Sequence, residues 1–325
     1  MKMRGFSLSA AAATAVLGFM VTGMADAATV KITPLGSHEG EFCSFDRAMV
    51  FEDPDGTRIL YDAGRTVAGV DDPRLGKIDA VLVSHMHGDH VGDRHIPAVG
   101  AGACGRPDIA TVALPDTLSV KIAAAKGAKI VTGSEMPSFF AAKLKEVGGD
   151  PQKSELVRFG ASRKVGGVTV TTVPAAHSNG IAPGMIGGPF AEMLSKAGLT
   201  AYAGPPTGYV LTFSNGLVAY LSGDTGVTAE QQVVVGDQYK AKLVVMNIGD
   251  TFTTGPTEAA YVVNELIKPA AVIPSHANQP STEGGKLIAG SRTDIFAKAV
   301  SAPVHLPLSG RTMVFDGAAK CVSGC

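Results

Sequence analysis

The chain has 325 residues, of which 45% are hydrophobic and 18% are charged, and its formal net charge at pH 7 is −1. This composition supports a large buried core and excludes a mainly disordered protein. A near-neutral chain offers no basic surface for nucleic acid or anionic lipid, so we expect a small-molecule partner, with no nucleic acid and no membrane once the N-terminal segment is removed.

The N-terminal 1–27 segment has the features of a secretory signal peptide. Basic residues at positions 2 and 4 precede an apolar run over 8–24, and residues 25–27 (Ala-Asp-Ala) form a small-x-small cleavage site. A membrane anchor is the alternative, but the run is short for a span and rich in Ala and Gly. We therefore predict a periplasmic or secreted protein in which 28–325 form a single domain.

Four cysteines are compatible with an oxidising compartment. Cys321 and Cys325 are close in sequence and could pair locally, which would leave Cys43 and Cys104 to pair across the domain. The spacing alone does not decide between the possible pairings. None of the four has the spacing of a zinc ligand.

Short apolar runs, often β-branched, predict strands along most of the chain. The predicted strands are 29–34, 48–51, 58–61, 78–83, 109–114, 128–131, 156–159, 168–173, 209–213, 217–221, 243–246, 271–273 and 311–315. The predicted helices are 115–126, 135–147, 256–267 and 294–300. The Gly- and Pro-rich segment 178–207 predicts a long loop with a short helix near 190–197, either a substrate wall or a plain insertion.

A dense group of metal-type side chains follows the strand at 78–83. His85, His87, Asp89 and His90 lie within six positions, although the whole chain has only eight histidines. Clustered charge beside a buried strand is costly unless something compensates it, and a bound cation does so. Imidazole and carboxylate suit Zn²⁺, Mn²⁺ or Fe²⁺. The alternative, a polar loop, does not explain so many histidines together.

Three more metal-type residues, His177, Asp224 and His276, each follow a predicted buried strand. A single residue of this kind could be an ordinary core histidine or a turn cap, but strands of one sheet bring their ends to a common edge. Five imidazoles and two carboxylates exceed the four ligands of a closed zinc site, so we expect two cations bridged by Asp224. Asp62 also ends a strand and is either a turn cap or part of the site.

The pattern His85-x-His87-x-Asp89-His90, with the later ligands, resembles the metallo-β-lactamase superfamily. The stretches 222–226 (Ser-Gly-Asp-Thr-Gly) and 255–260 (Gly-Pro-Thr-Glu-Ala-Ala) look like its metal-dependent hydrolases near the ascorbate-phosphate lactonases. The resemblance covers about 30–316. It implies an α+β fold, a four-layer αββα sandwich with the metal site at one edge between the two sheets.

The resemblance also implies individual roles. In this reading metal one is held by His85, His87 and His177, metal two by Asp89, His90 and His276, Asp224 bridges the two, and Asp62 orients a ligand histidine. The expected cofactors are two divalent ions, zinc first, with manganese or iron as alternatives. One departure is Asp250, which stands where close relatives usually have glycine.

The leading hypothesis for function is hydrolysis. A water activated between two cations would attack an ester, lactone, amide or phosphoester, and Asp89 or a second water would relay a proton to the leaving group. Candidate substrate contacts are Asn179, Tyr209, Asn278, Ser275 and His38. The alternatives are an iron-dependent oxidoreductase of the same fold and a non-catalytic periplasmic metal or ligand binder.

Overall fold

The computed structural model describes residues 1–3, 5 and 28–325, so the predicted signal peptide lies almost entirely outside the described residues. Two β-sheets face each other, and helices cover the outer face of each sheet. The predicted four-layer αββα sandwich of the α+β class is therefore confirmed. Within the described part, no helix is both long enough and apolar enough to cross a bilayer.

The first sheet has eight strands and contains the N-terminal hairpin. Its strands, in spatial order, are Ser154–Leu156, Lys129–Thr132, Ala80–Leu82, Arg58–Tyr61, Met49–Glu52, Val30–Pro34, Met313–Phe315 and Cys321–Ser323. The first three neighbouring pairs in this order are parallel and the others are antiparallel.

The second sheet has six strands, and its topology brings three predicted ligands to one edge. Its strands, in spatial order, are Ser162–Val165, Val168–Pro174, Thr207–Thr212, Val218–Leu221, Leu243–Asn247 and Ala271–Ser275. The last three strands run parallel to one another. Two antiparallel pairings separate the second strand from the fourth, so these two also share a direction. The chain therefore leaves the sheet toward His177, Asp224 and His276 at the same edge.

Successive side chains along each strand point to opposite faces of the sheet, and this alternation separates the inner core from the outer helical layers. Ile59 faces the core between the sheets, whereas its neighbour Leu60 faces the helices outside the first sheet. In the second sheet, Val245 faces the inner core and Val244 the outer helices. The helices Leu118–Lys126 and Met136–Glu146 cover the first sheet, and the second is covered by Pro256–Tyr261, which continues as the π-helix Val262–Ile267, and by Arg292–Ala299.

The remaining elements are short and lie outside the two main sheets. The helices are Gly88–Val91, Pro183–Ile186, Gly188–Ala197, the π-helix Gln231–Gln238 and the 3₁₀ turn Pro151–Lys153. The paired short strands are Arg94–His95 with Thr111–Val112, Gly102–Ala103 with Arg106–Pro107, Gly180–Ile181 with Ala201–Tyr202, and Thr282–Glu283 with Lys286–Leu287.

Several local predictions differ from the structure, among them the strand predicted at 156–159, which is observed at Ser154–Leu156. The strand predicted at 109–114 shrinks to Thr111–Val112, because its partner is a two-residue strand and not a main sheet. The segment 178–207 is more ordered than a loop, and its helix Gly188–Ala197 includes the predicted 190–197. The cysteines pair as Cys43–Cys104 and Cys321–Cys325.

Candidate metal centre

The histidine-rich segment begins where the strand Ala80–Leu82 ends. His85 is fully buried there, and the chain then turns into the one-turn helix Gly88–Val91, which carries Asp89 and His90. Gly88 packs closely against Asp93, since a Cβ atom at this position would lie 2.4 Å from its carboxylate and would force that side chain to shift. The helix ends at Gly92, whose φ of 78° is in the left-handed region.

Asp224 lies at the centre of the site. Its Oδ2 atom is 3.0 Å from Nε2 of His276 and 3.3 Å from Nε2 of His90. The same oxygen is 3.7 Å from Nε2 of His177 and 3.8 Å from Nε2 of His85. One carboxylate oxygen thus faces four imidazole nitrogens, which is the position that a bridging ligand would occupy.

The other candidate ligands divide into two groups around Asp224. The first ligand group, His85, His87 and His177, and the second ligand group, Asp89, His90 and His276, each place one donor atom per residue within 4.8 Å of the others. In the first, Nδ1 of His87 lies 3.3 Å from Nε2 of His177. In the second, Oδ2 of Asp89 lies 3.6 Å from Nε2 of His276 and 3.8 Å from Nε2 of His90.

Asp62 sets the orientation of two of these rings. Its Oδ2 atom is 2.8 Å from Nδ1 of His90 and 2.7 Å from the hydroxyl of Ser84. Because that hydroxyl donates its single hydrogen to Asp62, it accepts one from Nδ1 of His85, 2.9 Å away. Both rings therefore carry a hydrogen on Nδ1 and turn Nε2 toward Asp224.

Three residues of the centre adopt left-handed backbone conformations that residues other than glycine rarely take. Asp62, His276 and Asn278 have φ values of 41°, 54° and 56°. Such conformations cost about 1–3 kcal/mol each and are typical of functional sites, where the surrounding structure holds them in place.

The pKa values of the histidines in the first ligand group are shifted in the opposite direction from that of His90. Burial, with the nearby charge of His90, lowers the pKa of His85 well below its usual value, and burial also lowers those of His87 and His177. Burial acts in the same direction on His90, but the carboxylates of Asp224, Asp62 and Asp89 outweigh it and raise the pKa of His90 to about 10. The first ligand group is thus neutral at pH 7, whereas His90 must release a proton before it can bind a cation.

The donor atoms fit a divalent cation. Nε2 of His85, Nε2 of His90 and Oδ1 of Asp224 are buried and have no hydrogen-bond partner among residues 28–325. Unpartnered buried polar atoms are costly, and nitrogen and oxygen atoms clustered around one space are satisfied by a cation that takes such ligands, once His90 has released its proton. No cysteine belongs to the cluster, because all four are paired in disulfides.

Comparisons with known proteins agree with this geometry. The Beta-lactamase superfamily domain matches residues 57–277, more than half of the chain. A UPF0173 metal-dependent hydrolase of Roseiflexus castenholzii is 32% identical over 231 residues, which is 69% of this chain and 76% of that protein. The chain belongs to the metal-dependent hydrolases of the metallo-β-lactamase superfamily.

Other members of the superfamily show how far the similarity extends. A UPF0173 metal-dependent hydrolase of Koribacter versatilis is 29% identical over 226 residues, covering 69% of this chain and 77% of that protein. For a relative in Cupriavidus necator, 30% identical, the match covers 62% of this chain and 58% of that protein. The solved structure of Igni18, a metallo hydrolase from Ignicoccus hospitalis, has a TM-score of 0.57 and 22% identity over 89% of this chain and 99% of that one, which shows a shared fold.

A cavity of about 340 Å³ opens beside the candidate metal ligands of this hydrolase. This metal cavity is lined by Phe45, Arg47, Arg65, His87, Asp89, His177, Ser178, Asp224, Phe252, His276 and Asn278. A second cavity shares His177 and Ser178 with it and continues along 175–180 and 200–206. The predicted contact Asn278 lies in the metal cavity, and the segment 178–207 contributes to the wall of the second.

The predicted substrate contact at Tyr209 is wrong. Tyr209 is fully buried between the sheets, and its hydroxyl donates to the carbonyl oxygens of Val83 at 2.7 Å and Val131 at 3.1 Å. Its place opposite Leu221 turns the ring into the inner core.

Apart from Asn278, the remaining predicted contacts lie outside the metal cavity. The ring nitrogens of His38 contact the hydroxyl of Ser37 and the carbonyl oxygen of Gly102. Asn179 lines the second cavity, and its side-chain oxygen accepts a hydrogen bond from the backbone of Met86. Ser275 belongs to a buried strand end.

Sequence reasoning missed Arg47, Phe45 and Phe252. Arg47 precedes the strand Met49–Glu52, which runs antiparallel to Arg58–Tyr61, so the start of one strand and the end of the other share an edge. The available signal was a charged residue directly before an apolar strand. Phe252 is 69% exposed. It follows Asp250 and Thr251, which both have a left-handed backbone conformation, and this conformation explains why glycine is suited to position 250.

Proposed function

We propose that this hydrolase uses two divalent cations, zinc first and manganese or iron as alternatives, to cleave an ester, lactone, amide or phosphoester of a small molecule. The observation that carries the proposal is the position of Asp224, whose Oδ2 atom faces four imidazole nitrogens at 3.0 to 3.8 Å. A carboxylate in this position joins two ligand groups into one centre.

The residues have separate tasks in this proposal. The first and second ligand groups would each hold one cation, and Asp224 would contact both. When bound, such a pair lowers the pKa of a shared water and polarises the oxygen of the scissile bond. Asp62 and Ser84 keep His85 and His90 turned toward the centre, so that no rotation of these rings is needed during the reaction.

Asp89 is our candidate for proton transfer to the leaving group. It lines the metal cavity, and its side chain is 23% exposed, so a substrate atom can reach it. Burial alone would raise its pKa, but Arg47 and His90 hold the pKa of Asp89 well below its usual range. It is therefore ionised at pH 7 and can accept a proton from the attacking water and pass it to the leaving group.

We also propose export to the periplasm or beyond, in accordance with the predicted signal peptide. The disulfide between Cys43 and Cys104 supports this location, because such bonds persist in oxidising compartments.

The experiment combines metal analysis with a substrate panel. The purified full-length protein, stripped with a chelator and then reloaded with Zn²⁺ or Mn²⁺, is assayed on chromogenic esters, lactones, lactams and phosphodiesters. We expect two metal equivalents and turnover in at least one class, lost on stripping and restored on reloading. A metal-replete protein that turns over none of them would count against the proposal, and bound iron with visible absorbance would favour the oxidoreductase.

A further inference from the structure

Arg47 is a nearly buried cation beside the second ligand group. Its side chain is 3% exposed and lines the metal cavity. Its Nη2 atom lies 2.8 Å from Oδ2 of Asp89, 2.8 Å from Nε2 of His276 and 2.8 Å from Oδ1 of Asn278. Arg47 thus touches two candidate metal ligands with the same nitrogen.

The hydrogen-bonding capacity of Arg47 is not used fully. A guanidinium has five N–H groups, and the two on Nη2 face three neighbours. The other three, on Nε and Nη1, are buried and find no partner in the described part of the chain. The ring of Phe45, with its centroid 5.9 Å from the guanidinium carbon, covers the group but accepts no ordinary hydrogen bond. A buried guanidinium normally has more partners than this.

Metal binding would weaken the ion pair between Arg47 and Asp89. Asp89 is the carboxylate in contact with it, and Asp89 and His276 are also candidate metal ligands. Once these two residues are directed at a cation, the guanidinium keeps the amide oxygen of Asn278 but must share the negative charge of Asp89 with the metal. A buried charge without a partner is strongly unfavourable, and a second cation nearby increases that cost.

We propose that Arg47 binds an oxyanion of the substrate, a carboxylate or a phosphate, next to the metals. The inference rests on the proposed function and adds a substrate class to it. A negatively charged group would replace the charge that Asp89 gives up to the metal. The planar guanidinium suits carboxylate and phosphate because it can donate two parallel hydrogen bonds.

Arg65 provides a matched control within the same cavity. It also lines the metal cavity, but its Nε and Nη2 atoms donate to the two carboxylate oxygens of Asp93 at 2.7 and 2.8 Å. Asp93 belongs to neither ligand group, so metal loading leaves this pair intact. Arg65 therefore keeps its counter-charge, and its positive charge is not available to a ligand in the same way.

The test measures binding and not turnover. Full-length protein loaded with Zn²⁺ is titrated calorimetrically with inorganic phosphate and, separately, with acetate. The variants are Arg47→Gln and Arg47→Met, with Arg65→Gln as control, and the zinc affinity of each is measured by competition with a chelator. Arg47→Met keeps most of the length of the stem without leaving a buried polar group, so it tests the idea even if Arg47→Gln folds poorly.

We expect the two Arg47 variants to bind one of the oxyanions about 10- to 100-fold more weakly, the loss typical of a charge-assisted contact. Their zinc affinity should stay equal or increase, because a positive charge next to the metal has been removed. The Arg65→Gln variant should bind the oxyanions within about twofold of the wild type. A loss with either oxyanion supports the proposal, and the larger loss identifies the preferred one.

Three results would overturn the proposal. The first is unchanged binding of both oxyanions in the Arg47 variants, and the second is an equal loss in Arg65→Gln. The third is a parallel loss of zinc and oxyanion affinity, which would indicate a structural role. Because turnover is not measured, a protein inactive on every tested substrate can still pass this test, and an active enzyme can fail it.

Discussion

The carboxylate of Asp62 lies 2.8 Å from Nδ1 of His90, on the side of the ring opposite to Asp224. This contact fixes which nitrogen of His90 carries the hydrogen. We expect Asp62→Asn to lower metal affinity by about 10- to 100-fold, because the neutral amide orients the ring less strongly and makes it less basic. Competition with a chelator measures the change.

Asp53 offers a close control for this substitution. Asp62 accepts hydrogen bonds from the backbone and hydroxyl of Ser84 at 2.8 and 2.7 Å, and Asp53 accepts the same pair from Ser214 at 2.8 and 2.7 Å. The two carboxylates lie at opposite ends of the strand Arg58–Tyr61. Asp53→Asn should reduce stability and leave metal affinity unchanged, so an equal loss of affinity in both variants would show that folding, not ring orientation, is responsible.

The two ligand groups predict a pattern of metal content. His87→Ala should lose the first cation and His276→Ala the second, each retaining about one equivalent, since a zinc site with a ligand missing binds weakly. Asp224→Ala should weaken both, because its Oδ2 atom faces both groups. Elemental analysis after dialysis gives the count, with His95→Ala as a control, because His95 belongs to no candidate metal group among the described residues. Two full equivalents in Asp224→Ala would contradict a bridging role.

Asp72 should make stability depend on pH. Its buried carboxylate accepts hydrogen bonds from Nη2 of Arg74 at 2.6 Å and from the backbone of Ala68 at 2.9 Å. Burial alone would raise the pKa of Asp72, but Arg74 and these hydrogen bonds lower it. A lowered pKa contributes stability that is present above the unfolded value near 3.8 and is lost as the pH falls through the folded value.

The Asp72→Asn variant should therefore be less stable than the wild type by about 1.5–3 kcal/mol at pH 7. The difference should shrink as the pH falls below 4, which urea unfolding at several pH values can follow. Comparing two proteins that share the metal centre cancels the titration of its ligands. The neighbouring exposed residue supplies the control, and Asp71→Asn should change stability by less than about 0.5 kcal/mol. A difference for Asp72→Asn that does not depend on pH would contradict this origin.

Residues at strand ends were the part of the site that could be predicted from sequence. His177, Asp224 and His276 each follow a largely buried strand, and the three strands leave the sheet at one edge. The sandwich followed from the same runs together with the resemblance to a known superfamily. The number of residues between a strand and its ligand is visible in the sequence, so this inference does not require the register of the sheet.

The pairing of the strands explains why Tyr209 was wrongly predicted as a substrate contact and why Arg47 was missed. Tyr209 pairs with Leu221, and both face the inner core, whereas a shift by one residue would have turned the ring to the other face. Arg47 was missed for the opposite reason. It reaches the cavity from the beginning of a strand, and only the antiparallel pairing of Met49 with Tyr61 brings it there. Neither pairing can be read from a single sequence.

The disulfide between Cys43 and Cys104 should stabilise the fold and the position of Arg47. The loop 36–46 is tied by Asp46, whose carboxylate accepts hydrogen bonds from the backbone of Ser37 at 2.8 Å and of Cys43 at 2.7 Å. The disulfide spans a sequence separation of 61 residues. In the chain-entropy model, closing a loop of this length contributes about 4 kcal/mol, so Cys43→Ser combined with Cys104→Ser should lower the unfolding free energy by about 2–4 kcal/mol.

The second disulfide is the control for this prediction. Cys321 and Cys325 are separated by only 4 residues, so their bond removes far less entropy from the unfolded chain. Replacing both cysteines by serine should lower the free energy of unfolding, measured with urea, by at most about 2 kcal/mol. Because Arg47 follows the 36–46 loop directly, the Cys43/Cys104 double variant should also bind inorganic phosphate more weakly than the Cys321/Cys325 variant. Equal stability and equal phosphate binding in the two variants would show that the first disulfide does not hold this loop.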